Sequence, residues 1–351
     1  MTLKHTKYIR SAYLLFCFCL SILTIIALFI FSEHVNHRPN GFIRLLPPHP
    51  ISALYSTNLT FNSYYIAGVS ESRIYLANYT TPGVIYSYNH QLKDTHRLVF
   101  SFPPNTKFHR ASATLSIDSP FVYLSAYRNS VLLSGQLPAF ELHNLNDSMN
   151  FYECVPISKN SYIFQVFNTN GTQNLVVKKS FAPSTSDTSS VLDKKREGAI
   201  ATDGKFLLDK ITRKLFYVYY YRNQFISLDT NFRVYYNGRT IDTISKPHIK
   251  IAEINDDRVM TMAAPPLRVN KGACLNGQWL MIHSGLLANN EEKNTFDSSA
   301  VIDVYAEKDG KYSFSFYISD NDNEKIKGFE AFKKELIVLY DHSLFVYRLN
   351  F

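Results

Sequence analysis

The sequence predicts an all-β protein, a six-bladed β-propeller preceded by one N-terminal transmembrane helix. Three observations support this prediction. A run of nineteen apolar or weakly polar residues without a charge lies near the N-terminus, over residues 13–31. A strand–turn–strand unit then recurs six times along the remaining chain. Further strand candidates lie between the copies, and four strands per unit at this spacing are typical of a propeller blade.

The apolar run, YLLFCFCLSILTIIALFIF, is long enough to span a membrane. At 1.5 Å of rise per residue it would form a helix about 28 Å long, close to the hydrocarbon thickness of a bilayer. Lys4, Lys7 and Arg10 precede it, and cationic residues resist translocation, so we expect the chain after the run to be exported. A cleaved signal peptide is the alternative, although cleavage needs small residues and the run ends in Phe29-Ile30-Phe31.

These features divide the chain into a cytoplasmic tail (residues 1–12), a transmembrane helix (13–32), a linker (33–40) and a propeller domain (41–351). In a bacterium with two membranes, we expect a single-pass protein of the inner membrane, with its N-terminus in the cytoplasm and its propeller in the periplasm. A tail this short cannot fold by itself. We therefore do not expect a receptor that signals through its own cytoplasmic domain.

Composition argues against nucleic acid as a partner. All 29 acidic residues follow the apolar run, against 34 of the 37 basic ones, which leaves the exported part with only about +5. The expected partners are the lipid bilayer, through the N-terminal helix, and a membrane or periplasmic protein.

Cys154 and Cys274 could form one disulfide in an oxidising compartment, and two buried free thiols are the alternative. No Cys/His spacing suggests a metal, and we expect no cofactor.

The six copies of the repeated unit share one plan. Each has a strand rich in aromatic and β-branched residues, a turn, and a second apolar strand. We expect these two strands to be the second and third strands of each blade. The copies lie at residues 73–89, 121–135, 161–178, 215–229, 279–305 and 335–349.

The last copy ends at residue 349, two residues before the end of the sequence, so we expect the sixth blade to lack a fourth, outermost strand of its own. A strand candidate without a blade, GFIRLL (41–46), follows the apolar run. Propellers commonly close by letting one terminus complete the blade of the other, which removes an exposed sheet edge. We therefore expect residues 41–46 to pair beside residues 343–349. A seven-bladed ring and a two-domain β protein are the alternatives.

Three segments resemble the blade sequences of TolB-like six-bladed propellers: LFYVYYY…QFISLDTN (215–231), the turn at residues 202–205, and VIDVYAEKDGKYSFSFYI (301–318). A likeness to the short YVTN-type repeat is only partial. The chain as a whole is similar to membrane-anchored bacterial proteins of that class. The resemblance covers most of residues 60–351; it implies the fold and carries no catalytic residue across.

Turns between second and third strands all lie on one face of a propeller, where loops commonly bind ligands. Two of these turns share the motif Tyr-Arg-Asn, a third contains a long insertion at residues 285–299, and a fourth contains Asp-His. Arginine in such a place would suit a carboxylate, a phosphate or an acidic protein surface. The predicted binding residues are Arg128, Asn129, Arg222, Asn223, His283, Asp341 and His342.

No metalloprotease, P-loop, dinucleotide-binding or nucleophile-elbow signature occurs in the sequence, so no catalytic residue is predicted. We expect a membrane-tethered, extracytoplasmic propeller that acts as a binding or scaffolding module. Two alternatives remain: a propeller-fold hydrolase (lactonase) or oxidoreductase, and a polysaccharide- or peptide-binding subunit of a membrane complex. Carboxylates converging in the central channel would favour an enzyme, whereas an exposed apolar or aromatic patch would favour a scaffold.

Overall fold

The computed structural model describes residues 2–36, 41–145, 149–168, 174–192, 200–249, 251–254, 259–262 and 264–351. Helix α1 (Thr2–Asn36) contains the apolar run. Over Tyr13–Ile30 it is not buried against any other part of the protein. Its length and composition would allow it to cross a membrane or to serve as a signal anchor.

The chain after α1 forms six four-stranded antiparallel sheets, the blades of the predicted propeller. Strand β1 (Ile51–Asn58) belongs to blade 6. Blade 1 contains β2 (Tyr64–Val69), β3 (Ile74–Asn78), β4 (Val84–Tyr88) and β5 (Thr95–Val99). Blade 2 contains β6 (Ala113–Asp118), β7 (Phe121–Ala126), β8 (Val131–Gln136) and β9 (Leu142–Asn144). Blade 3 contains β10 (Glu153–Ser158), β11 (Ser161–Phe167), β12 (Asn174–Phe181) and β13 (Ser184–Ser189).

Blade 4 contains β14 (Gly204–Leu208), β15 (Leu215–Tyr219), β16 (Phe225–Leu228) and β17 (Val234–Gly238). A separate hairpin, β18 (Ile251–Ile254) and β19 (Val259–Met262), lies in the connection to the next blade. Blade 5 contains β20 (Asn270–Leu275), β21 (Trp279–Ser284), β22 (Ser299–Ala306) and β23 (Tyr312–Ser319), with the short helix α2 (Lys293–Asp297) between β21 and β22. Blade 6 contains β24 (Gly328–Phe332), β25 (Glu335–Leu339), β26 (Ser343–Leu349) and β1.

The repeated hairpins form the second and third strands of the blades, as predicted. These strands are the most deeply buried parts of the ring; β3 and β15 are buried at every residue. Each blade packs between two neighbours, so both faces of its middle strands are covered. This explains why the repeats read as nearly continuous apolar runs instead of alternating apolar and polar residues.

The N-terminal chain closes the ring, as predicted, but with other residues than those predicted. Strand β1 pairs antiparallel with β26 along its whole length, from Ile51 to Asn58. The prediction that residues 41–46 fill this position is wrong. Those residues lie outside the sheet of blade 6 because Arg44, in their middle, is bound by carboxylates of blade 5.

Residues 41–50, here named the strap, cross the outer edge of blade 5 before β1 begins. The amide of Gly41 donates to Oδ1 of Asn289, in the loop between β21 and β22. Farther along, the amide of Ser315 in β23 donates to the carbonyl oxygen of Leu45. The strap therefore runs beside the outermost strand of blade 5 without becoming a strand of that sheet.

Arg44 fixes the strap through a buried ion-pair network. Its guanidinium donates to Oδ1 of Asp303 from Nε (2.7 Å), to Glu291, and to the carbonyl oxygen of Leu286 (3.0 Å). Burial disfavours the charge, but the two carboxylates outweigh burial and raise the pKa of Arg44 above its ordinary value. The hydroxyl of Ser315 also donates to Asp303 (2.6 Å). The start of the strap is thus held firmly against blade 5.

Successive strands of a blade run in opposite directions, so the ring has two distinct faces. The lower face carries the turns between second and third strands and the connections between blades. Gly41 lies on this face, beside Asn289. The upper face carries the other turns of each blade. The strap reaches the upper face at Pro50, whose carbonyl oxygen accepts a hydrogen bond from the amide of Asn350.

Candidate functional site

The first Tyr-Arg-Asn turn is open to solvent on the lower face. Arg128 and Asn129 are both exposed. Oδ1 of Asn129 accepts a hydrogen bond from the amide of His109 (2.7 Å), which ties the turn to the connection between blades 1 and 2. Arg128 forms no ion pair with the residues that the structure describes. The turn of blade 2 is therefore accessible from the lower face.

The second Tyr-Arg-Asn turn is buried, so the prediction of an accessible arginine there is wrong. The guanidinium of Arg222 lies over the ring of Tyr219, with Cζ 3.7 Å from the ring centroid. Nδ2 of Asn223 donates to the carbonyl oxygen of Asp242 (2.5 Å), and Nδ2 of Asn270 donates to that of Arg222 (3.1 Å). The connection between blades 4 and 5 therefore covers the turn.

His283 lies in β21 and not in a turn. It is largely enclosed, with its ring 6.5 Å from that of Phe329. Burial lowers the pKa of His283 to about 3, and the positive charges of Lys271 and Arg268 act in the same direction. The imidazole is therefore neutral at physiological pH, and it contributes to packing instead of to an open binding face.

Asp341 and His342 lie exposed in the turn of blade 6. Nδ1 of His342 is 2.5 Å from Oε1 of Glu324, and Oδ1 of Asp341 is 3.5 Å from Nζ of Lys327. The seven predicted residues thus share neither a pocket nor a uniform environment. The 285–299 insertion holds the strap, since Leu286, Asn289 and Glu291 all bind it.

The two cysteines that follow α1 are free thiols in different blades. Cys154 is in β10 of blade 3 and Cys274 is in β20 of blade 5, so the alternative of separate thiols holds and the disulfide does not form. Burial raises the pKa of the Cys274 thiol well above its ordinary value. Within the described ranges, no group of three or more His, Cys, Asp or Glu side chains has an arrangement that could hold a metal ion.

A cavity of about 360 Å³ occupies the centre of the ring. Its walls come from the first strand of every blade: β2, β6, β10, β14, β20 and β24. Apolar side chains supply much of the wall: Ile66, Ile117, Val155, Phe206 and Phe332. A concave, mostly apolar cavity with a few polar groups is the usual form of a small-molecule site.

Seven charged residues line this cavity. Asp118, Asp209, Lys210 and Lys333 lie at its upper end, and Glu153, Lys205 and Glu330 lie below them on first strands. Burial raises the pKa of Glu153 to about 8 and also raises that of Glu330, while the charge of Lys205 opposes both shifts. At neutral pH the Glu153 carboxyl is therefore mostly protonated and can donate a hydrogen bond. Its Oε2 is enclosed and has no hydrogen-bond partner among the described residues. A buried polar atom without a partner costs about 1–3 kcal/mol, which a suitable ligand would recover.

The rim of the cavity is on the upper face. Lys210, Ile211 and Lys333, in turns between first and second strands, line it there. Nζ of Lys210 lies 2.9 Å from Asp118, and Nζ of Lys333 lies 2.5 Å from Glu71. The rim lysines are thus paired and exposed. The distinguishing feature of the cavity is the group of charged side chains below the rim: Glu153, Lys205 and Glu330.

The sequence prediction missed Glu153, Lys205 and Glu330 because it followed the repeated hairpins, and these residues belong to first strands. A signal was nevertheless present. Each is a charged residue inside an otherwise mostly apolar segment that directly precedes a repeated hairpin: YECVPI, GKFLL and GFEAF. In a propeller such segments line the channel, so a charge there faces the central cavity.

No protein-family model and no curated protein matches the sequence. Among solved structures, a member of the DUF4221 family from Bacteroides vulgatus is similar, with 9% sequence identity over 86% of this chain and 99% of that one and a TM-score of 0.52. Selenomethionine-substituted virginiamycin B lyase from Staphylococcus aureus shows 11% identity over 85% and 99% of the two chains, with a TM-score of 0.49. At 9% identity, the likeness to the DUF4221 member shows the fold alone. The chain is a six-bladed β-propeller; the TolB-like resemblance remains a prediction.

Proposed function

We propose that this chain is a membrane-tethered, extracytoplasmic binding module that takes a small ligand into the centre of its propeller. The observation that carries the proposal is the group Glu153, Lys205 and Glu330, which lines a central cavity whose walls are mostly apolar. Helix α1 supports the tether, because it is long and apolar enough to cross a membrane. The location in the inner membrane of a two-membrane bacterium belongs to the same proposal.

The cavity indicates the chemistry of the ligand. Lys205 can donate to an acceptor such as a carbonyl or carboxylate oxygen, and protonated Glu153 can donate as well. Glu330 can accept from an amine or amide. The net charge of the three groups is close to zero when Glu153 is protonated, so a polyanion would not be favoured. An amphipathic or zwitterionic molecule of a few hundred Å³ fits these conditions.

Thermal-shift and calorimetric binding measurements on the full chain in detergent would test the proposal, with a library of amino acids, amides, amines and small carboxylic acids. Lys205→Met and Glu153→Gln should abolish the binding of any true ligand. Lys311→Met is the matched control, because Lys311 lies exposed on an upper-face turn away from the cavity. Ligands that bind the Lys205→Met chain as tightly as the wild type would contradict a site in the cavity.

A second candidate function is an acid–base enzyme, a hydrolase or an oxidoreductase, and one observation favours it. A carboxyl with a pKa of about 8 beside a lysine, in a cavity, is an arrangement that general acid–base catalysis uses. The two functions differ in one measurement. If Glu153→Gln keeps the affinity for a ligand that the wild type converts but loses the conversion, the protein is an enzyme.

A further inference from the structure

Large exposed aromatic side chains are concentrated on one half of the lower face. Four of them, here named the aromatic crescent, are 41–55% exposed: Phe61, Tyr79, Tyr127 and Phe167. Phe61 precedes β2, and the other three lie at the lower ends of β3, β7 and β11, so the crescent extends over blades 1 to 3. In the part of the chain described after α1, Tyr235 is the one other aromatic residue so exposed.

Basic side chains adjoin the crescent. Lys107 and Arg110 lie in the connection between blades 1 and 2, and Arg128 follows Tyr127; all three are exposed. The bond from the His109 amide to Asn129 holds this connection against the turn of blade 2. None of the three forms an ion pair with a described residue. The lower-face segments that contain or flank them have no Asp or Glu: residues 59–63, 79–83, 100–112 and 127–130.

The chain that leads to α1 departs from this same face. Gly41 is fixed to the lower face by Asn289, and Arg44 holds the strap to blade 5. Five residue steps separate Gly41 from Asn36, the last residue of α1, and an extended chain covers at most about 18 Å in that number. The helical residues after Ile30 add at most about 9 Å. A membrane that holds α1 must therefore lie within about 27 Å of the lower face at Gly41.

We propose that the lower face lies on the surface of the membrane that holds α1, with the aromatic crescent at the level of the lipid headgroups and Lys107, Arg110 and Arg128 toward anionic lipids. The inference rests on the membrane tether of the proposed function. Tyrosine is enriched at membrane–water interfaces, and each basic side chain near an anionic bilayer strengthens association about fivefold. In this orientation the cavity rim on the upper face points away from the membrane.

Depth-dependent fluorescence quenching tests the orientation. The full chain, with its four cysteines replaced by alanine, is placed in nanodiscs of phosphatidylcholine with or without phosphatidylglycerol, and the quencher is a lipid spin-labelled at its headgroup. One variant carries a fluorophore at Tyr127→Cys and the matched control carries it at Ile211→Cys on the upper face. We expect strong quenching at position 127 and little at position 211. Phosphatidylglycerol should increase the quenching at position 127. The triple variant Lys107→Gln, Arg110→Gln, Arg128→Gln should lose most of that increase.

Each other outcome counts against the proposal in a distinguishable way. Equal quenching at both positions would overturn the orientation while leaving the tether intact. A chain that does not stay in the nanodisc would refute the tether and this inference together. Shielding of position 127 in native membranes, but not in nanodiscs, would assign the crescent to a protein partner instead of lipid. Equal melting temperatures of the labelled variants and the cysteine-free parent would verify that the fold is kept.

Discussion

The two halves of the lower face contain turns with the same local sequence, but one turn is exposed and the other is buried. In blade 2 the motif Tyr-Arg-Asn leaves Arg128 in solvent, and in blade 4 it leaves Arg222 fully buried on Tyr219. The connection after blade 1 spans residues 100–112, whereas the one after blade 4 spans residues 239–269 and contains an extra hairpin. The longer connection supplies the chain that covers the second turn.

Blades 4 and 5 are here named the covered half of the lower face, and blades 1 to 3 the open half; blade 6 completes the ring between blades 5 and 1. Three pieces of chain cover the first: the connection after blade 4, the loop between β21 and β22, and the strap. The covered half therefore contains buried arginines whose partners lie far away in sequence, such as Arg44 with Asp303. The open half contains arginines without ion pairs to described residues. The difference shows that a turn motif does not determine its own accessibility.

The largest difference between the halves should appear when each loses one arginine. Arg44→Met should destabilise the protein by about 3–5 kcal/mol, because it leaves two buried carboxylates without their cation. Its deficit should shrink as the pH falls, since protonation removes those charges. Arg110→Met is the matched change in the open half and should alter the free energy of unfolding by less than about 0.5 kcal/mol. Urea denaturation at several pH values measures both; equal effects would contradict the buried network.

The two Tyr-Arg-Asn turns allow the same comparison at one motif. Arg222→Ala should cost about 3 kcal/mol, because it leaves a cavity and removes the contact with Tyr219. Arg128→Ala should cost less than about 0.5 kcal/mol. Chemical denaturation of the two single variants gives the result. If Arg222→Ala were as harmless as Arg128→Ala, the second turn would be as open as the first.

The dependence of stability on pH should distinguish the enclosed His283 from the exposed His342. The pKa of His283 is about 3 in the folded chain against an ordinary value of 6.5, so the folded state binds fewer protons than the unfolded state in that window. Stability should therefore fall as the pH drops below 6.5, by about 2 kcal/mol at pH 5 from this residue alone. His283→Gln should remove that part of the acid sensitivity, and the control His342→Gln should not. Melting temperatures measured between pH 5 and 8 check this. If His283 were solvated, the melting temperature would depend on pH in the same way in both variants and in the wild type.

Much of the architecture could be predicted from the sequence because it rests on local patterns. The repeated hairpins, the number of blades and closure by the N-terminal chain follow from apolar runs and turns. The sequence pattern favours residues 41–46 over β1 as the closing strand, because the sequence of β1, ISALYSTN, has a smaller share of apolar residues than GFIRLL. Arg44 decides the choice between them, through Glu291 and Asp303, which are more than 240 residues away. The cavity residues were missed for a related reason: Glu153, Lys205 and Glu330 come together only when the ring closes.

Amide hydrogen exchange, measured by mass spectrometry on the full chain, tests the division into covered and open halves most directly. The strap and β1 should exchange much more slowly than unbonded chain, since Gly41, Arg44 and Leu45 donate their amides to side chains of blade 5 and β1 is paired with β26 along its length. Residues 100–112 and 127–130 in the open half should exchange much faster. Rapid exchange over residues 41–58, equal to that of the open half, would contradict both the strap and the closure of the ring.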